Sequence, residues 1–281
     1  MPLSALVGSV VPPIETRFVG VVTDSPSNRP AAALDRTEGV YVRNLGFSAT
    51  YNFRDVGGYP GLDGRTVRWR RLFRSDALHR LGDADEIAFA QLGVRTVIDL
   101  RRPLEVERFG RVPERYGLDY HHLVLNHIDW ETIEQPPAAL QERWLADRYL
   151  NFAEDGREGL RTSLQVIADP SRAPVIVHCM AGKDRTGTVC ALTLALLGVS
   201  DQDIAADYAL TTAAMRPLTE YLLEKNPEAV RGNEHMFDSP PGAMLLFLDD
   251  LRALHGSIEE YVREIGLTDD EIASMRAHLL D

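Results

Sequence analysis

The sequence predicts an α/β domain, and three observations support this fold class. Short apolar runs rich in β-branched residues, at 96–101, 121–125 and 173–177, are typical of buried strands. Helical patterns follow, first at 186–197 and then through the C-terminal third of the chain. A length of 281 residues with 44% hydrophobic content suffices for one large core, and no Gly/Ser linker or internal repeat divides the chain. We therefore expect one domain with additions.

The first 48 residues are predicted to be an extension of a main domain at 49–281, and the runs 17–22 and 41–45 could add strands to it. The apolar start of the chain lacks a basic segment and is cut short by Pro12-Pro13, so no signal peptide is predicted. No stretch is long enough to span a bilayer. The expected location is the cytoplasm, or outside the cell after export without a conventional signal peptide.

Charge and cysteine content restrict the function classes. A formal net charge of -12 and a pI near 5.2 argue against a nucleic-acid partner, because no broad basic surface could be sustained. Two cysteines provide no disulfide framework, and a reducing setting fits them best. Cys190 lies in a predicted helix, where a core position is expected.

The most informative stretch is 178–187, which reads His-Cys-Met-Ala-Gly-Lys-Asp-Arg-Thr-Gly between a predicted strand and a predicted helix. On such a turn the loop amides can all point inward, and the helix start adds unpaired N–H groups, so a phosphate dianion can bind without a metal. The same field should lower the pKa of Cys179 and make it nucleophilic. The planar fork of Arg185 can hold two phosphoryl oxygens, and Thr186 could hydrogen-bond the thiolate when it leaves.

A lone buried cysteine is usually an inert core residue, and that is the alternative interpretation of Cys179. Here Gly, Arg and a hydroxyl residue follow the cysteine in register, between a strand and a helix. This is the structural context that confirms such a motif, and it favours covalent phosphate chemistry.

The pattern of His-Cys, five residues, Arg and Thr resembles the signature of the cysteine-dependent protein tyrosine phosphatase superfamily. Both Gly-Lys-Asp-Arg-Thr-Gly and Asn-Phe-Arg-Asp-Val-Gly-Gly-Tyr at 52–59 resemble its bacterial branch, which includes mycobacterial tyrosine phosphatases and lipid-acting enzymes. The resemblance implies a central, mostly parallel sheet flanked by helices, with lid-like helices inserted at about 200–250. It also implies hydrolysis through a phosphocysteine intermediate without metal or cofactor. The implied substrates are phosphotyrosine, phosphoserine or phosphothreonine proteins, or phosphoinositides.

Carried onto this sequence, the resemblance makes Cys179 the nucleophile and Arg185 the phosphate clamp. Lys183 stands where phosphoinositide phosphatases also carry a basic residue, so it could bind a second anionic group. Asp184 could transfer a proton or could brace the loop amides and Arg185. The substrate-binding loop would comprise Met180, Ala181, Gly182, Lys183, Asp184, Arg185 and Thr186.

A general acid must protonate the departing oxygen. Asp129 is the first candidate, because it follows the predicted strand at 121–125, at the edge where open α/β sheets bind ligands, with Trp130 beside it. The alternative is a solvated loop carboxylate. Glu131 and Asp99 are the reserves, although Asp99 is better explained as a structural brace in Asp-Leu-Arg.

Several further predictions concern flanking segments. Arg54 and Asp55 could form an ion pair, Asp63-Gly64 indicates a hairpin, and Arg74 could draw anionic substrates toward the site. The C-terminal third predicts helices at 201–211 and 217–225, a long loop at 226–241, and capping boxes at Ser257-x-x-Glu260 and Thr268-x-x-Glu271. Candidates for a lid lining, or for ordinary core packing, are Met215, Met236, Phe237, Met244 and Phe247.

Three functions remain open on the sequence. The favoured one is a cysteine-based phosphomonoesterase, with protein-tyrosine, dual-specificity or phosphoinositide activity. A rhodanese-like sulfurtransferase also uses a cysteine on an anion loop, but its loop usually lacks the Arg-Thr-Gly ending. A non-catalytic phosphate-binding module is disfavoured because both Cys179 and Arg185 are retained. The sequence predicts no oligomeric state.

Overall fold

The computed structural model describes residues 41–127, 130, 133–225 and 234–281. A five-stranded sheet crosses this part of the chain in the order β1-β2-β5-β3-β4. The strands are β1 (Arg54–Asp55), β2 (Leu72–Ser75), β3 (Thr96–Asp99), β4 (Asp119–His122) and β5 (Val175–His178). β1 is antiparallel to β2, and the other neighbours are parallel. The predicted α/β class with a mostly parallel sheet is confirmed.

Nine α-helices flank the sheet within the described residues. They are α1 (Asp83–Ala90), α2 (Pro103–Phe109), α3 (Gln141–Asp155), α4 (Arg157–Ala168), α5 (Asp184–Leu196), α6 (Asp201–Lys225), α7 (Pro241–His255), α8 (Ile258–Glu264) and α9 (Asp269–Leu279). None of the helices in these ranges is both long and apolar enough to cross a membrane.

The central strand β5 is buried on both faces because apolar side chains alternate between two clusters. Val175 and Val177 belong to a large cluster built with helices α3 to α9, whereas Ile176 belongs to a smaller cluster that contains Phe73 and Val97. A strand covered on both sides reads as a continuous apolar run, which is why this strand was visible in the sequence.

Some element boundaries differ from the prediction. β4 begins two residues before the predicted 121–125 strand and ends at His122, because only residues up to His122 pair with β3. Helix α6 is a single helix that contains Pro217, so the prediction of two helices is wrong. A proline removes one backbone donor, but here α6 continues, packed along α7. The predicted loop at 226–241 contains a 3₁₀ turn at Glu234–Phe237, and residues 226–233 lie outside the described residues.

The N-terminal and C-terminal predictions have mixed outcomes. The run 41–45 forms only an isolated antiparallel bridge between Asn44 and Arg54, and the run 17–22 lies outside the described residues. The Asp63-Gly64 turn is closed by an antiparallel bridge between Pro60 and Thr66, as a hairpin requires. The capping box predicted at Thr268 is confirmed, because the Thr268 side chain accepts the Glu271 N–H and the Glu271 side chain accepts the Thr268 N–H. At Ser257 only half of the predicted box is present: the Ser257 side chain accepts the Glu260 N–H.

Candidate active site

The Cys179–Arg185 loop lies where the carboxyl end of β5 meets the start of helix α5. β5 is between β2 and β3, so the segments that follow all three strands surround this loop. Cys179 comes directly after the strand and is 2% exposed. The His178 carbonyl, one residue earlier, accepts a hydrogen bond from the Leu100 N–H at 2.9 Å, which fixes the loop to the segment after β3.

Three successive carbonyls of the loop are held from one side. The Met180 carbonyl accepts from the Ala77 N–H at 3.0 Å, and the Asn52 side-chain amide donates to the carbonyls of Ala181 at 3.0 Å and Gly182 at 3.2 Å. Because a trans peptide is planar, each following N–H points to the opposite side. The N–H groups of residues 181–183 therefore face away from these anchors, as an anion-binding concavity needs.

Gly182 is the residue that allows this loop to approach the strand edge. Its φ of +68° lies in the left-handed region, and an added Cβ would lie 2.4 Å from the Ser75 carbonyl oxygen. Any L side chain would therefore meet both backbone strain and a clash with β2.

Arg185 is held by a partner that the sequence analysis missed. Its guanidinium forms two parallel bonds with Glu105 of α2, Nη1 to Oε2 at 2.6 Å and Nη2 to Oε1 at 3.0 Å. The Glu105 carboxylate also accepts the Arg102 N–H at 2.6 Å, at the start of α2. Burial opposes ionisation of Glu105, but Arg185 holds the pKa of that carboxyl below its usual value. Glu105 and Arg185 are 80 positions apart, so no local pattern in the sequence connects them.

Lys183 and Asp184 both have protein partners. The Lys183 ammonium donates to the Met236 carbonyl at 2.8 Å and lies 3.8 Å from the Asp184 carboxylate. The Tyr149 hydroxyl donates to Asp184 at 2.7 Å, and the Tyr208 hydroxyl lies 2.5 Å from that of Tyr149. Asp184 therefore links the loop to α3, and Lys183 links it to the 3₁₀ turn before α7.

The candidate acids have different surroundings. Asp129 and Glu131 lie outside the described residues. Asp99 is fully buried and accepts bonds from the Arg101 side chain at 2.6 and 2.9 Å and from the Tyr120 hydroxyl at 2.8 Å. Burial opposes the effect, but His178 and Arg101 hold the pKa of Asp99 well below its usual value, so it does not carry a transferable proton near neutral pH. Asp99 is a brace.

The remaining site predictions fall close to the loop. The Thr186 hydroxyl is buried without a hydrogen-bond partner. Met215, Met244 and Phe247 are buried, and the last two belong to the large cluster, whereas Met236 and Phe237 are half-buried. Among the described residues no group of three or more His, Cys, Asp and Glu side chains is placed to hold a metal ion.

Two predictions about arginines are wrong. Arg54 pairs with Asp207 of α6 and not with Asp55, because neighbouring residues of a strand point to opposite faces. Arg74 is 1% exposed and cannot attract substrate from solvent; its guanidinium donates to Asp207 at 2.6 Å and to the Gly182 carbonyl at 2.9 Å. These side chains lie behind the loop, and we call Asn52, Arg54, Arg74, Asp207 and Thr211 the rear cluster.

A cysteine and an arginine at the two ends of an amide-lined loop, at the carboxyl edge of a parallel sheet, define a cysteine-based phosphatase. The chain belongs to the tyrosine phosphatase family, whose profile matches residues 45–281. It is 30% identical over 274 residues to the triple specificity protein phosphatase PtpB of Mycobacterium tuberculosis, covering 82% of this chain and 96% of that protein. It is 27% identical over 239 residues to a tyrosine-protein phosphatase of Nostoc commune, covering 79% and 81%.

Proposed function

We propose that this protein hydrolyses phosphomonoesters through a phosphocysteine intermediate, with phosphotyrosine proteins as the main substrates. The observation that carries the proposal is the Cys179–Arg185 loop, whose carbonyls are anchored on one side and whose amides face the other. The name of one relative, a triple specificity protein phosphatase, supports activity on more than one class of phosphorylated substrate. We propose phosphoserine or phosphothreonine proteins and phosphoinositides as the further classes.

In the first step the Cys179 sulfur attacks phosphorus, the bond to the leaving oxygen breaks, and that oxygen takes a proton from an acid. In the second step water attacks phosphorus and gives a proton back to the carboxylate left by the first step, the bond between sulfur and phosphorus breaks with the sulfur leaving as thiolate, and phosphate is released. The loop amides and Arg185 stabilise the charge on the phosphoryl oxygens in both steps. No metal or cofactor takes part in this scheme.

We assign the acid role to Asp129, which comes seven residues after the end of β4 in the sequence. β4 is parallel to β3 and β5, so the segment that leaves β4 starts at the edge of the sheet where the loop lies. Asp184 is the second candidate, although its hydrogen bond from the Tyr149 hydroxyl favours a role in bracing the loop. Lys183 donates one of its three N–H groups to the Met236 carbonyl, so a second anionic group would share the ammonium with that carbonyl.

We further propose residues 1–48 as an extension, 49–281 as the phosphatase domain, and about 200–250 as a lid-like insertion in which the part near Met236 covers the site, while Asp207 and Thr211 support the loop from behind. The contact between Lys183 and Met236 supports this last assignment. A reducing setting, in the cytoplasm or before export without a conventional signal peptide, suits a chain that must keep Cys179 as a thiol.

The test is hydrolysis of p-nitrophenyl phosphate in the presence of a chelator. We expect turnover by the parent, none by Cys179→Ser, and a loss of about 10³-fold in kcat for Arg185→Ala, which removes the main charge-stabilising donor. Cys190→Ala is the matched control and should keep the parent rate, because Cys190 is buried in α5. Turnover of thiosulfate without phosphate ester hydrolysis would show a sulfurtransferase, and phosphopeptide binding without turnover would show a non-catalytic module.

The acid is tested with aryl phosphates whose leaving groups differ in pKa. Asp129→Asn should slow poor leaving groups much more than good ones, because only poor leaving groups need the proton. Asp184→Asn should lower the rate for all of them equally. The reverse pattern would move the acid role to Asp184.

A further inference from the structure

Asp207 lies on α6, outside the Cys179–Arg185 loop, yet two buried arginines converge on its carboxylate: Arg74, which contacts the loop, and Arg54, which contacts the loop's partner Asn52. Arg54 Nε lies 3.2 Å from Oδ1 and Arg74 Nη1 lies 2.6 Å from Oδ2, and all three side chains are 1% exposed. The Asp207 carbonyl also accepts from Arg54 at 2.8 Å, and the Tyr59 hydroxyl donates to the carboxylate at 3.2 Å. An ion pair this deep is held in one geometry, since a buried charge without its partner is very costly.

The arginines transmit this geometry to the loop. Arg74 spans Asp207 and the Gly182 carbonyl, while Arg54 contacts the side-chain oxygen of Asn52. Asn52 is thereby oriented with its NH₂ group toward the carbonyls of Ala181 and Gly182. Thr211, one turn after Asp207 on α6, accepts from both Asn52 and Arg54.

The charges of the rear cluster also fit an anion site. Two guanidinium groups face one carboxylate, so one positive charge remains buried behind the loop. Burial would raise the pKa of Asp207, but Arg54 and Arg74 hold it well below its usual range, and the carboxylate stays ionised.

We infer that Asp207 is a positioning residue for the phosphatase reaction: it orients Arg74, Arg54 and Asn52, and these turn the loop carbonyls outward so that the loop amides face the phosphoryl group. Helix α6 is then part of the site's support and is coupled to the loop from behind. This inference rests on the proposed function, in which the loop binds the phosphoryl group of the substrate. Its test also includes a measurement of oxyanion binding, which needs no turnover.

The experiment compares Asp207→Asn and Asn52→Asp with the parent. Asn52→Asp keeps the size of the side chain and the oxygen that faces Arg54. It replaces the NH₂ donor with an oxygen, which would face the carbonyl oxygens of Ala181 and Gly182. For both variants we expect kcat/KM for p-nitrophenyl phosphate to fall about 100-fold. A loss of this size is typical when the reacting groups are displaced by about 1 Å. Both should need at least about tenfold more tungstate to protect Cys179 from alkylation by iodoacetamide, because the same amides bind the oxyanion.

Asp201→Asn is the matched control. Asp201 belongs to the same helix and forms a forked ion pair with Arg252 at 2.6 and 2.7 Å, but it has no contact with the rear cluster. It should lower the melting temperature while leaving kcat/KM and tungstate protection at the parent values.

The outcomes separate the two proposals. If the parent hydrolyses the ester and both rear-cluster variants keep its kcat/KM and tungstate protection, the role of Asp207 is refuted and the function stands. If the parent is protected by tungstate but hydrolyses nothing, the function is refuted, and weaker protection in the variants still supports the positioning role. A parent that tungstate does not protect overturns both.

Discussion

Arg185 and Arg74 contact the same loop, and they differ in what each guanidinium is free to do. Arg74 is completely enclosed and divides its donors between Asp207 and the Gly182 carbonyl, all of them protein groups. Arg185 has a single carboxylate partner, Glu105, and a tenth of its side chain reaches solvent. The comparison teaches that residue type does not assign a role: a fully enclosed arginine shapes the loop, and a mostly buried arginine whose side chain still reaches solvent can also receive a ligand.

Arg185→Lys and Arg74→Lys test this contrast most directly. Arg185→Lys should lower kcat about 10³-fold with little change in melting temperature, because a lysine cannot reproduce the fork that holds two phosphoryl oxygens. Arg74→Lys should lower the free energy of unfolding by about 2 kcal/mol, since it weakens a buried pair while keeping its charge. Steady-state kinetics and thermal unfolding of both variants measure these effects. Equal losses of stability in the two variants would remove the distinction.

Glu105→Gln sharpens the comparison from the partner's side. The amide keeps the shape of the carboxylate but turns one acceptor into a donor that faces Arg185. We expect kcat to fall about 10- to 100-fold, because charge-assisted hydrogen bonds contribute about 1.5–3 kcal/mol. Glu114→Gln, in an exposed pair with Arg111, is the control and should leave kcat unchanged. A Glu105 variant with full activity would mean that Arg185 is oriented by the loop alone.

The two cysteines show the same contrast between a side chain that is enclosed by the protein and one that can meet a ligand. Burial raises the pKa of Cys190 to about 11, so at pH 7 only about one part in ten thousand of it is thiolate. Iodoacetamide should therefore add one group to the native protein, at Cys179, and two groups after unfolding. Mass spectrometry of the intact and digested protein counts them. Modification of Cys190 in the native state at the rate of Cys179 would contradict this.

Asp55 is expected to affect stability through its pH dependence. Burial raises the pKa of Asp55 to about 6, above its unfolded value. The folded protein therefore holds a proton that the unfolded chain has released, and this contribution of up to about 3 kcal/mol is present below pH 4 and lost as pH rises through 6. Asp76, whose pKa burial also raises, adds in the same direction. The free energy of unfolding from pH 4 to 7 should fall less steeply in Asp55→Asn than in the parent; parallel curves would exclude Asp55 as a cause.

Local sequence patterns predicted the strand, loop and helix that carry Cys179. They did not predict the distant residues that hold this loop in place. Val175 to Arg185 reads as strand, loop and helix because each part follows from neighbouring residues. Arg74 and Asp207 are 133 positions apart and meet only because α6 packs behind the loop. No periodicity connects such residues, so Arg74 was assigned to the substrate side and Asp207 was passed over within a predicted helix. Glu105 was missed for the same reason.

The bond between Lys183 and the Met236 carbonyl has a consequence for chemical intervention. A neutral peptide oxygen is a modest acceptor for an ammonium ion, and a carboxylate forms a bond roughly twice as strong. An inhibitor that joins a phosphate mimic to a carboxylate reaching Lys183 would use an N–H of the ammonium that the Met236 carbonyl does not accept. Such a bidentate compound would gain selectivity over phosphatases that lack a basic residue at this position.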